Sequence, residues 1–98
     1  MKMNAEMIEK TKKQLNEALD GVDAYLNDWP QKPKYFTTIN ELRLFAVKIR
    51  EMLESIDKGQ AVPIFGIWRI LETWPYKNSL RQKLVEAEFA YEKITKGP

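Results

Sequence analysis

The sequence predicts an all-α protein, a small four-helix bundle with up-down-up-down topology. Three observations predict this fold. Apolar side chains recur every three or four residues through most of the chain, proline or glycine separates these stretches, and the connections between them are short. The 98 residues, 44% of them hydrophobic, are expected to form one domain spanning residues 1–98.

The first helix is predicted over residues 4–29. Gly21 lies inside its apolar pattern, where glycine costs about 1 kcal/mol relative to alanine and indicates a close helix crossing or a bend. The helix ends at Trp29, because a residue that precedes proline disfavours α geometry. The apolar positions are spaced 7, 4, 3, 4 and 3 residues apart, with one heptad step missing near Thr11. They are Ile8, Leu15, Leu19, Val22, Leu26 and Trp29, and of these Leu19 and Leu26 are expected to be buried.

The second helix is predicted over residues 38–58, and its start has a capping box. Thr38 is the expected N-cap and Glu41 the reciprocal partner three residues later. Phe45 and Met52 widen the apolar stripe and are expected in the core. Gly59 is suited to the position after the helix. The seam of a helix is the line of apolar residues that is expected to face the core. In the second helix it consists of Ile39, Leu42, Ala46, Ile49, Leu53 and Ile56.

The third helix is predicted over residues 63–73, with Pro63 in its first turn. Nine of the thirteen residues from 62 to 74 are apolar when Pro63 is counted, so the segment is apolar almost all round. Either this helix is the most buried of the four or part of it meets a partner. Ile67 and Leu71 are expected in the core. A buried strand is an alternative for so short an apolar run.

The fourth helix is predicted over residues 78–95. Val85 and Phe89 form a second apolar pair, turned more than about 90° away from the main seam. This pair indicates either an apolar interface or a core that wraps around the helix. The seam, spaced 4, 3, 4 and 3 residues apart, consists of Leu80, Leu84, Ala87, Tyr91 and Ile94.

The composition argues against an enzyme and against a cofactor or metal site. The chain has no cysteine and no histidine, which removes thiolate nucleophiles, the commonest general base and the commonest zinc ligands. No phosphate-binding glycine loop or nucleophile elbow is present. Glu51, Glu54 and Asp57 have the spacing of magnesium-binding carboxylates in helical hydrolases. A solvated helix face is the favoured interpretation of these three residues.

The most informative motif is the dipeptide Trp-Pro, which occurs at residues 29–30 and again at 74–75. In an up-down-up-down bundle the first and third helices end at the same pole, so the two turns should lie together. Cationic and aromatic side chains together can bind phosphates, stack on bases or hold an acidic partner. The predicted partner-binding or anion-binding residues are Lys32, Lys34, Tyr35, Tyr76, Lys77 and Arg81. The alternative interpretation is that Trp29, Phe36 and Trp74 only close the end of the bundle while the lysines are solvated, and in both cases the two tryptophans are expected to be mostly buried.

We therefore expect a small non-enzymatic protein that binds another macromolecule and regulates, inhibits or scaffolds it. A protein partner is favoured, and self-association into a homo-oligomer is one form of this hypothesis. The alternative is binding of nucleic acid or a phosphorylated ligand at the Trp-Pro turns, although the net charge of +2 does not demand such a ligand. The absence of cysteine, of an apolar leader and of a membrane-spanning stretch predicts a cytoplasmic protein.

Overall fold

The computed structural model describes residues 5–60 and 67–96 and shows a small all-α bundle. The helices are α1 (Ala5–Asp28), α2 (Ile39–Asp57), α3 (Ile67–Leu71) and α4 (Ser79–Lys96). No strand occurs within the described residues. The predicted fold class is confirmed, and the ends of α1, α2 and α4 agree with the sequence to within one residue wherever they can be compared.

Helix α1 packs along both α2 and α4 and is antiparallel to each of them. An ion pair of 2.9 Å between Lys12 Nζ and Asp57 Oδ1 joins the first half of α1 to the end of α2. Asn78 Nδ2 donates to the Tyr25 hydroxyl at 2.9 Å, which joins the end of α1 to the start of α4. Helices α2 and α4 therefore run in the same direction, and the chain must return along the bundle between them.

That return ends in α3, which is short. Arg81 Nε donates to the Leu71 carbonyl at 2.9 Å, so the end of α3 lies beside the start of α4. Beyond Leu71 the chain continues in tight turns, with Thr73 N donating to Ile70 O and Trp74 N to Leu71 O. These bonds span three residues and not four, which is why α3 ends at 71 and not at the predicted 73. The predicted start at residue 63 lies outside the described residues.

The predicted capping box starts α2. Glu41 N donates to Thr38 Oγ1 at 3.1 Å, and Thr38 N donates to Glu41 Oε1 at 3.3 Å. Thr37 Oγ1 also donates to Glu41 Oε1, at 2.8 Å, so this carboxylate oxygen accepts two bonds. At the other end Gly59 has a φ of +70°, the left-handed conformation that favours glycine after a helix. Both ends of α2 are therefore set by local sequence, as expected.

The buried seam of α1 differs from the predicted one. Thr11 occupies the missing heptad step and is buried, so the observed seam has spacings of 4, 3 and 4 residues. Leu19 and Leu26, which the sequence predicted as buried, are half-buried and pack against the edge of the core. The physical reason is that α1 has neighbours on two sides, α2 and α4, so the line of residues that lies between these two contacts is buried and the positions beside it are only half-buried. The buried residues of α1 are Thr11, Leu15, Ala18 and Val22.

Helix α2 supplies the largest share of the core. Phe45 and Met52 are buried, as predicted. Leu53 was also predicted as buried, but it is half-buried, because the centre of the stripe passes through Ile49 and Met52. Ile67 was predicted as buried too, and its side chain lies outside what the structure describes. The buried residues of α2 are Leu42, Phe45, Ala46, Ile49, Met52 and Ile56.

Gly21 lies at a close crossing of α1 and α4, the first of the two alternatives that the sequence indicated. A β-carbon built on Gly21 would lie only 2.6 Å from Leu80 Cδ1. Leu80 is itself buried, so its methyl group has little room to move. Glycine at this position lets the leucine of α4 press directly against the backbone of α1.

The difference in burial between Ile49 and Leu53 predicts a difference in their contributions to stability. We expect Ile49→Ala to lower the free energy of unfolding by about 2–5 kcal/mol, because it removes a fully buried side chain. Leu53→Ala should cost roughly half as much, since Leu53 already contacts solvent. Urea unfolding of both variants measures the difference. Equal losses would mean that the centre of the stripe lies between the two residues.

The close crossing generates a second prediction. We expect Gly21→Ala to destabilise the protein by up to about 2 kcal/mol, because overpacking against Leu80 outweighs the gain in helix propensity. In a Leu80→Ala background the same change should instead stabilise by as much as about 1 kcal/mol. A double-mutant cycle in urea measures this reversal of sign. If Gly21→Ala has the same effect in both backgrounds, the two residues do not press together.

Candidate functional site: the Trp-Pro pole

Both Trp-Pro turns lie at one end of the bundle. We call this end, formed by residues 29–38 and 71–81 together with Tyr25, the Trp-Pro pole. The ring of Phe36, in the first connection, packs edge-on against Trp74, in the second, with centroids 4.8 Å apart. The segment that follows the first Trp-Pro turn thus folds onto the tryptophan of the second.

Trp74 is the centre of the pole and is only 2% exposed. Besides Phe36, it contacts Tyr25 of α1, with nearly parallel rings and centroids 6.3 Å apart, and Phe45 of α2, edge-on at 5.6 Å. Its indole Nε1 is buried, with no acceptor among the described residues. Trp29 is half-buried and packs against the same core. The two tryptophans therefore serve packing.

The two predicted tyrosines have the opposite environment. Tyr35 is 92% exposed and Tyr76 is 77% exposed. The rings of Tyr35 and Phe36 are nearly perpendicular, with centroids 5.4 Å apart, and Tyr35 is otherwise open to solvent. Two large aromatic side chains at the same pole are thus available to a partner.

Two of the predicted basic residues are already engaged by aromatic rings. Lys34 Nζ lies 5.2 Å from the centroid of Tyr25, a cation–π contact that covers this half-buried ring. The Arg81 guanidinium lies 4.7 Å from the centroid of Tyr76 and is also bonded to Leu71 O. Tyr25 was not singled out in the sequence, although its position three residues after Val22 and four before Trp29 continues the seam.

The remaining two, Lys32 and Lys77, are exposed. None of the four basic residues at the pole forms an ion pair with a carboxylate in the described part of the chain, where the ion pairs involve Lys12, Lys48, Arg50 and Lys58. The nearby carboxylate of Glu41 is occupied by the capping box, whereas Asp28 and Glu72 are exposed. The pole therefore offers unpaired cations and exposed rings with a modest positive excess.

The carboxylates of α2 are arranged differently from a magnesium site. Glu54 pairs with Lys58 at 2.7 Å, Asp57 with Lys12 at 2.9 Å, and Glu51 lies 3.9 Å from Lys48. Within residues 5–60 and 67–96, no group of three or more acidic side chains could hold a metal ion. Glu51 and Glu54 line an open hollow of about 250 Å³ with Ser55, Lys58 and Gln60. The magnesium alternative has no support in this geometry.

The second predicted site, on α4, divides between core and surface. Val85 is half-buried against the core, whereas Phe89 is 46% exposed. Leu44 and Val47 of α2, which the sequence did not single out, are also exposed, by 38% and 48%. An apolar interface at Val85 and Phe89 stays a prediction.

Glu88 is a buried carboxyl that the sequence pattern did not single out. It is 4% exposed, and its Oε2 has no hydrogen-bond partner within the described structure. Burial, assisted by repulsion from Glu92, raises the pKa of Glu88 to about 7. A signal was present: Glu88 lies four residues after Leu84 and three before Tyr91, so it widens the apolar stripe of α4.

Glu88 should make stability depend on pH. Its pKa is raised from an ordinary 4.5 to about 7 on folding, so the unfolded chain ionises first as the pH rises. The neutral carboxyl thus favours the fold below about pH 4.5, and this contribution, on the order of 1–3 kcal/mol, is lost as the pH rises to about 7.

Glu88→Gln should therefore raise the free energy of unfolding at pH 8 and not at pH 4.5. Urea unfolding across this range measures the effect, and Glu86→Gln, at an exposed position of the same helix, is the control. Identical pH profiles for the two variants would show that Glu88 is solvated in the folded protein.

Comparison with known proteins adds no homologue to this geometry. The chain matches no protein-family model, no curated protein and no solved structure. Among the described helices, none combines the length and the apolar character needed to cross a membrane.

Proposed function

We propose that this protein is a non-enzymatic binding module that recognises an acidic segment of another protein through the Trp-Pro pole. In doing so it regulates, inhibits or scaffolds that partner. The observation that carries the proposal is the exposure of Tyr35 and Tyr76, at 92% and 77%, beside unpaired cations. Tyrosine supplies large contact area with few rotatable bonds and is enriched in protein interfaces.

Charge complementarity supports an acidic protein segment as the partner. Lys32 and Lys77 are exposed and unpaired among the described residues, so a carboxylate partner would meet cations without first displacing another anion. Such charges mainly raise association rates and select the partner, whereas the tyrosine rings supply buried area. The absence of cysteine fits a reducing compartment, and we place the protein in the cytoplasm as part of the same proposal.

Single-stranded nucleic acid is the second candidate. The observation that favours it is the Arg81 guanidinium held 4.7 Å from the exposed Tyr76 ring, because such pairs can stack a base and contact a phosphate. The whole-chain charge of +2 and the exposed carboxylates of Asp28 and Glu72 weigh against a dense polyanion. We therefore favour the protein partner.

The test distinguishes binding at the Trp-Pro pole from general electrostatic attraction to the protein. We expect Lys32→Glu with Lys77→Glu to weaken binding of a fluorescently labelled polyglutamate peptide about tenfold or more, a change of about 1.4 kcal/mol. Fluorescence anisotropy measures the affinity. Lys34 is better left unchanged, because its contact with Tyr25 gives it a structural role. Thermal melting of the pair should change little, since both lysines are exposed.

The matched control is Lys13→Glu with Lys93→Glu, which changes the net charge equally at exposed positions near the opposite end of the bundle. Copurification of a host protein by the unmodified chain and the control pair, but not by the pole pair, would support the proposal. An equal loss of peptide binding in both pairs would contradict it. Tight, salt-sensitive binding of a thymidine oligonucleotide would favour the nucleic-acid candidate, and self-association in sedimentation would favour the homo-oligomer.

A further inference from the structure

We infer that Arg81 is the anchor of the Trp-Pro pole, where its guanidinium receives a carboxylate of the acidic segment in a bidentate pair beside the ring of Tyr76. This inference rests on the proposed function and names the residue and the chemical group on which recognition turns. It is carried by three observations: the guanidinium is fixed, its terminal nitrogens are unpaired, and an exposed ring lies against it.

The guanidinium is held in place before any partner arrives. Nε donates to the Leu71 carbonyl at 2.9 Å, and Leu71 is fully buried, so the acceptor belongs to the rigid core. The Tyr76 ring lies 4.7 Å from the guanidinium carbon. The backbone is fixed as well, because Arg81 N donates to Asn78 Oδ1 at 2.8 Å in the cap of α4. When a mobile arginine binds a ligand, the loss of side-chain conformational entropy weakens the binding. Here most of that entropy is already lost when the protein folds.

The terminal nitrogens are left for a ligand. Arginine carries five N–H donors, and only the one on Nε is bonded within the described residues. Arg81 forms no ion pair there, and its nitrogens are absent from the buried groups that lack a partner, so they are open to solvent. Two parallel N–H groups match the two oxygens of a carboxylate. Lys77, exposed four residues earlier, can reach a second acidic side chain.

A purely structural role for Arg81 is the competing explanation. The bond to Leu71 O satisfies a carbonyl at the end of α3, which is a common duty of a basic side chain. That role uses Nε alone and predicts no change at the terminal nitrogens when a partner binds. The two explanations therefore differ at Nη1 and Nη2 of the unmodified protein.

The first experiment uses the unmodified chain. In a titration with polyglutamate peptide followed by nuclear magnetic resonance, we expect the Arg81 side-chain N–H signals to shift and the terminal groups to rotate more slowly. Arg69, exposed on α3, is the internal reference and should change little. If the peptide binds and Arg81 responds no more than Arg69, the inference is overturned while the proposed function stands.

The second experiment uses variants. Arg81→Lys keeps the charge and loses the planar fork, and we expect it to weaken peptide binding about tenfold, whereas Arg69→Lys should leave binding unchanged. Tyr76→Ala removes the ring beside the guanidinium and keeps the Nε bond. If Arg81→Lys lowers the melting temperature, the effect of Tyr76→Ala on peptide affinity is the test of the inference.

Unchanged affinity in Arg81→Lys and Tyr76→Ala would contradict the inference. Binding of a thymidine oligonucleotide through Arg81, without binding of the peptide, would show that the guanidinium recognises phosphate and would overturn the inference. Failure of the unmodified chain to bind peptide or any host protein would instead remove the proposed function.

Discussion

The burial of Trp74 is the interaction on which the Trp-Pro pole depends. Its indole touches rings from α1, from the first connection and from α2, so one side chain ties three parts of the chain to the segment before α4. Between Arg69 and Asn78, Leu71 and Trp74 are the only buried residues. A buried tryptophan removes more apolar surface from water than a buried leucine such as Leu71 of α3. Without it, the described part of the return segment would be attached mainly through Leu71 and the Arg81 bond.

The contacts of Trp74 also determine which side chains of the Trp-Pro pole stay exposed to a partner. Phe36 and Tyr25 are drawn inward to Trp74, and Lys34 follows Tyr25 through its cation–π contact. Tyr35, next to Phe36 in sequence, is turned out to solvent as a consequence. The structure thus separates two kinds of aromatic residue that look alike in the sequence, and it separates lysines used for packing from lysines left free.

How much could be predicted from the sequence depends on how local each feature is. The capping box at Thr38 and the glycine after α2 follow from a few adjacent residues, and both were predicted. The shared location of the Trp-Pro turns follows from topology alone. The inward shift of the α1 seam to Thr11 could not be predicted, because it depends on α1 having neighbours on two sides. Placement of Lys34 over Tyr25 likewise depends on how the connection folds back.

The two ends of the bundle differ in what surrounds their cations. This difference supports the binding role proposed for the Trp-Pro pole. Towards the opposite end, Lys12 and Lys58 meet carboxylates at 2.9 and 2.7 Å. Exposed ion pairs of this kind contribute little stability, about 0–1 kcal/mol. Lys13 and Lys93, exposed near the same end, are in no ion pair and no cation–π contact among the described residues, so what distinguishes the Trp-Pro pole is that its cations lie beside aromatic rings. At the Trp-Pro pole the one guanidinium that is held rigidly has no anion among the described residues, although Asp28 and Glu72 belong to neighbouring turns. Packing explains why Arg81 is fixed, and under the proposed function its unfilled fork is the position at which a carboxylate of the partner would bind.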